Sequence, residues 1–106
     1  MSVTEPQSSI QIEIPYEKIS AFCQRHHIRE LAFFGSVLRQ DFTPDSDVDV
    51  LIEFEADARV GYLKFFRIQD ELEDLLGRKV DLGTPGGIKS HIKDEILNKR
   101  VIIYAA

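Results

Sequence analysis

The chain has 106 residues, 43% of them hydrophobic and 29% charged, with a net charge of −5 and one cysteine, Cys23. That length fits a single domain with one modest core. The acidic balance argues against direct binding to nucleic acid, which needs a basic face. No apolar run approaches the ~18 residues of a membrane span, and a lone cysteine excludes an internal disulfide framework.

Residues 1–9, MSVTEPQSS, are polar and carry no apolar signal region, so they read as a flexible tail on a cytoplasmic protein. Residues 10–106 read as one domain. Ile10, Ile12 and Ile14 alternate with polar residues, as a short strand or extended arm does. Such an arm can pair with another chain, which leaves a homodimer or a hetero-oligomer open. Pro15 suits a first helical position, and Ile19, Phe22, Cys23 and His26 recur at helical spacing over residues 16–27. Leu31 to Phe34 predicts a short strand ending at Gly35.

Val48 to Phe54 predicts a second strand. Val48, Val50, Ile52 and Phe54 share one face, and Asp47, Asp49, Leu51 and Glu53 share the other. Gly61 to Leu76 predicts a helix with Phe65, Ile68, Leu72 and Leu75 as its stripe and Gly77 as its stop. Lys79 to Leu82 is a third short strand with Asp81 opposite Val80 and Leu82. A turn at Thr84–Gly87, a helix marked by Ile88, Ile92 and Ile96, and a closing strand over Val101–Tyr104 complete the chain. The order predicts an α+β fold, a small mixed sheet flanked by helices.

Carboxylates are poor strand formers and costly to bury, yet Asp47 and Asp49 stand at the mouth of the most strand-like segment. Two apart on a strand, their Cα atoms lie ~6.6 Å apart with both side chains on one face. If the third strand lies beside the second, Asp81 joins them. Three such charges repel, and a divalent cation removes the conflict. An all-oxygen set favours Mg²⁺, with Mn²⁺ as the alternative. Upstream, Gly35 lets another group approach the backbone, and Ser36 adds a hydroxyl. A short helix from Val37-Leu38-Arg39 would offer free N–H groups to phosphate. Alone, Asp47 and Asp49 read equally well as turn caps in Pro44-Asp45-Ser46-Asp47. Gly35-Ser36 and Asp81 tip the reading towards metal and nucleotide.

The run Phe34-Gly35-Ser36-x-x-Arg39-x-Asp41-x-x-x-Asp45-Ser46-Asp47-Val48-Asp49-Val50-Leu51, with Leu75-Leu76-Gly77-Arg78-Lys79-Val80-Asp81-Leu82 after it, resembles the minimal nucleotidyltransferase (MNT) group of the DNA polymerase beta-like superfamily. The resemblance spans roughly residues 30–104. It implies a nucleotidyltransferase fold and a Mg²⁺-dependent transfer of a nucleoside monophosphate, AMP from ATP, to an acceptor hydroxyl. Asp47, Asp49 and Asp81 would hold the metal and act in catalysis. Gly35, Ser36 and Arg39 would bind the nucleotide. The resemblance also implies a HEPN-domain toxin as partner, the MNT chain acting as antitoxin and modifying a tyrosine. Neutralisation by binding alone is the alternative. One departure is the adjacent pair Gly86-Gly87, where the group often carries a bulkier or charged residue.

Other residues have plainer readings. Arg78 pairs with a surface carboxylate or touches phosphate. His26, His27 and His91 read as helix surface or helix edge, and Asp70-Glu71-Leu72-Glu73-Asp74 as a solvated face. Phe33, Phe34, Phe65 and Phe66 read as core.

Overall fold

The computed structural model describes residues 12–38, 43 and 45–106, with only the backbone of Ser36. The expected tail over residues 1–9 lies outside them. Among the described residues the order is α1 (Tyr16–Arg25), β1 (Ile28–Phe34), a 3₁₀ turn (Gly35–Leu38), β2 (Val48–Phe54), α2 (Tyr62–Leu76), β3 (Val80–Gly83), a 3₁₀ turn (Pro85–Gly87), α3 (Ser90–Lys99) and β4 (Val101–Ala105). The strands form one mixed sheet in the order β3-β2-β1-β4. β1 runs antiparallel to β2 and β4, while β2 and β3 are parallel, joined by α2. The expected α+β fold is thus found.

The core follows the period-two pattern of the strands. Leu31 and Phe33 of β1, Val48, Val50 and Ile52 of β2, and Val80 and Leu82 of β3 are buried on one face. There they meet Ile19, Phe22 and Cys23 of α1 and Ile68 and Leu72 of α2. Ala32 and Leu51, partners across the ladder, are buried on the other face. That second face also presents Phe34, Asp49 and Asp81 by register. Glu30 and Glu53 face each other across β1 and β2, a like-charge pairing that costs stability. Each is answered by an arginine, Arg100 for Glu30 at 2.9 Å and Arg29 for Glu53.

Several boundaries differ from the sequence reading. The first helix ends at Arg25 rather than residue 27, because His27 takes φ 58° and turns the chain straight into β1. β1 therefore begins at Ile28, three residues earlier than its apolar run indicates, and Glu55 N–H donates to the His27 carbonyl at 2.8 Å, closing the β1–β2 pair. Pro15 precedes the first helix as its cap rather than opening it. Ile12 and Ile14 pack against the core outside any strand, and Ile10 lies outside the described residues. Phe66 is exposed, not core.

His26 falls at the helix edge. It is not simple helix surface, since its ring sits edge-on to Phe22 at 5.0 Å and its Nε2 lies 2.9 Å from Glu71 of α2. Glu71 also pairs with Arg25, so two residues at the end of α1 clamp one carboxylate of α2. The Arg25 guanidinium, with His26 adding to it, holds the Glu71 carboxyl down at about 2. A depressed carboxylate stabilises the fold fully above its ordinary value, and that contribution is lost as pH falls through its folded value. Wild type should therefore lose more thermal stability than Glu71→Gln between about pH 4.5 and pH 2, read from melting temperatures across that window. Burial pushes the Cys23 thiol up to about 12. Native protein at pH 8 should leave a thiol reagent unreacted, and one equivalent should appear on adding denaturant.

Candidate active site

The site is set by three neighbouring strands. Asp49 of β2 pairs in parallel register with Asp81 of β3 and in antiparallel register with Phe34, the last residue of β1. Gly35 follows at once and turns the chain into the 3₁₀ segment with φ 74°. That left-handed conformation favours glycine. Space demands it as well. A Cβ on Gly35 would lie 3.1 Å from Asp49 Cγ and closer still to Oδ2, so no other residue fits without moving the carboxylate. The Gly-Ser turn and the aspartate strand are therefore in contact, although thirteen positions separate Gly35 from Val48 in the numbering.

Each part is pinned from behind. Val37, fully buried, anchors the 3₁₀ turn to the core. Val48 and Val50 flank Asp49 and fill the core face, which sends Asp49 to the other side. Val48 N–H donates to the Lys79 carbonyl at 2.9 Å, so β2 and β3 are already paired beside Asp47. Val80 and Leu82 do for Asp81 what the valines do for Asp49. Glu73 of α2 accepts the Val80 N–H at 2.9 Å and fixes where β3 begins. Sequence reasoning placed Glu73 on a solvated face. Only its position one turn before Gly77, where the helix stops in an αL cap, hinted that it could reach the next strand.

The expected site residues fall out as follows. Gly35, Asp49 and Asp81 stand together at one end of three adjacent strands. Asp47 is exposed and directly precedes β2. Among the described residues no three His, Cys, Asp or Glu side chains are gathered closely enough to hold an ion. The donor set is nonetheless all oxygen, as a hard divalent cation prefers, and the register puts two of its backbones one strand spacing, about 4.8 Å, apart. Arg39, Asp41 and the Ser36 side chain lie outside the described residues. The expected short helix after Gly35 is, over the described residues, a four-residue 3₁₀ turn, so no helix dipole is invoked for phosphate. His26, His27 and His91 stay outside the site, His26 being held by Glu71. A cleft of about 580 Å³ opens beside Gly35, walled by Phe34, Leu38, Ile96 and Val101, with Glu95 and Lys99 completing its lining. Nothing in the sequence pattern pointed to it, because its walls come from β1, the turn, α3 and β4.

Comparison with known proteins agrees with this geometry. The nucleotidyltransferase domain family matches residues 16–103. A Methanocaldococcus jannaschii protein named for protein adenylyltransferase activity is 45% identical over 74 residues, 69% of this chain and 74% of that one. The protein adenylyltransferase MntA of Thermococcus cleftensis is 39% identical over 80 residues, 76% of this chain and 79% of that one. The fold is shared with a solved complex of a tri-AMPylated Shewanella oneidensis HEPN toxin with its MNT antitoxin, at TM-score 0.62 and 16% identity, covering 86% of this chain and 70% of the matched chain. With its Gly-Ser turn, its aspartate strand and a family match over nearly all of its length, this chain belongs to the nucleotidyltransferase domain family.

Proposed function

We propose that the chain is a Mg²⁺-dependent protein adenylyltransferase that moves AMP from ATP to a hydroxyl, a tyrosine, of a HEPN-type toxin and so acts as its antitoxin in the cytoplasm. The observation that carries this reading is the meeting of Gly35, Asp49 and Asp81 at one end of β1, β2 and β3. The names of the relatives support the protein acceptor and the HEPN partner.

In this reading the bare backbone at Gly35 lets the triphosphate lie close against the turn, with Ser36 and Arg39 as its further contacts. The apolar cleft beside Gly35 has the size and lining to take the nucleoside. Asp47, Asp49 and Asp81 would hold the cation, which would supply positive charge to the transferring phosphoryl group. The acceptor oxygen bonds to the α-phosphorus as the bond to the β-phosphate oxygen breaks, and pyrophosphate leaves. Asp81, on the outer of the two aspartate strands, takes the proton from the hydroxyl. At net charge −5, a separate protein suits the acceptor role better than a nucleic acid.

Intact-mass measurement of the chain with its HEPN partner, ATP and Mg²⁺ should show the partner gaining the mass of AMP. Asp49→Asn should lower the transfer rate by about 100-fold or more while the melting temperature stays close to wild type. A stable complex with no mass gain under any nucleoside triphosphate would replace transfer with neutralisation by binding. Gly35→Ala should cost about 1–2 kcal/mol in backbone strain and also displace Asp49, cutting transfer at least ~10-fold. Wild-type transfer by Gly35→Ala would remove Asp49 from the site.

A further inference from the structure

The end of α3 sets two cations side by side and holds them differently. Arg100 Nε lies 2.9 Å from Glu30 of β1, the two side chains being 23% and 22% exposed, and its guanidinium also donates to the Leu97 carbonyl. Lys99 Nζ lies 3.2 Å from Glu95, one turn earlier on the same helix, with both side chains mostly in solvent. An exposed i,i+4 pair of this kind holds weakly, so Lys99 can leave it at little cost. Arg100 is committed to the fold, and Lys99 is not.

Lys99 also stands in the wall of the cleft beside Gly35. Val101 opens β4 opposite Phe33, which delivers the end of α3 next to the end of β1. Glu95, Ile96 and Lys99 share one side of the helix, and that side closes the cleft against Phe34, Gly35 and Leu38. Among the described residues lining it, Lys99 carries the positive charge and Glu95 the negative one. In the adenylyltransferase reading, on which this inference rests, a triphosphate lies against Gly35 with the aspartates close by. One divalent cation does not balance three carboxylates and a triphosphate, and the chain as a whole is acidic. The negative end of the α3 dipole offers phosphate nothing, so the charge must come from the lysine head on its flexible stem. We propose that Lys99 binds the triphosphate of the nucleotide, giving up its pair with Glu95 to the phosphate oxygens, and that Glu95 thereby sets the affinity. The exchange trades one exposed carboxylate for a group of higher charge that accepts several hydrogen bonds.

Titration of the full chain with ATP in Mg²⁺ and with adenosine, followed by NMR shifts, separates the phosphate contact from the nucleoside contact. Lys99→Met should raise the dissociation constant for ATP ~10-fold and leave that for adenosine unchanged. Lys99→Arg should stay within ~3-fold of wild type, since it keeps the charge. Glu95→Gln should tighten ATP several-fold, because nothing then competes for the ammonium. Wild-type ATP binding should also weaken more steeply with salt than that of Lys99→Met. Wild-type ATP affinity in Lys99→Met overturns the proposal and leaves the adenylyltransferase reading standing. Equal losses of ATP and adenosine make Lys99 a wall of the nucleoside cleft and overturn it too. Weaker ATP binding by Glu95→Gln overturns the exchange, since Glu95 would then be holding Lys99 in place for its ligand. A wild-type chain that binds no ATP in Mg²⁺ removes the adenylyltransferase reading itself, and this inference with it.

Discussion

Asp49 and Asp81 occupy paired positions on neighbouring strands, and like charges placed side by side across a ladder work against the pairing. The rest of the fold holds them there regardless. Val48 and Val50 on one strand and Val80 and Leu82 on the other are buried beneath them, so neither strand can slip by one residue without turning its whole apolar set to the wrong face. The hydrophobic core thus enforces an electrostatic conflict on the opposite side of the sheet. Gly35 sharpens it, because its missing Cβ is what lets the turn close against Asp49.

The cost is spread over the supports. α1 and α2 both lie on the core side and are tied to each other by the Arg25–Glu71–His26 cluster. α2 then fixes β3 through Glu73, whose carboxylate takes the first N–H of that strand. Arg100 reaches Glu30 and also donates to the Leu97 carbonyl, so one side chain closes α3 and joins it to β1. These are local contacts with a shared result, since each sets the position of a strand whose end lies in the candidate site.

Much of this was legible in the sequence, for a physical reason. Period-two burial in Val48–Phe54 and Val80–Leu82 fixes both the strands and the face on which Asp49 and Asp81 emerge, and Gly35 marks the sharp turn. What was not legible depended on partners distant in the chain. Ile28-Arg29-Glu30 lacks an apolar run, and it is strand because β2 and β4 pair with it on both sides. His26 and Glu71 each look like helix surface until α1 and α2 are laid together. Phe66 fits a helical core pattern by composition, but the buried stripe of α2 runs through Ile68 and Leu72, and Phe66 falls outside it. The cleft beside Gly35 has walls from four elements, so no local pattern encodes it.

A domain this short has enough helix to cover one side of a four-stranded sheet. The helices α1 and α2 go to the side where the apolar residues are densest, and the other side keeps its carboxylates at the surface. The second face is only partly covered: Ala32 and Leu51 are buried there, while Asp49 is half-buried and Asp81 exposed. The carboxylates therefore emerge at one end of the sheet, at positions set by the apolar residues of the opposite face, which cannot shift register without moving them.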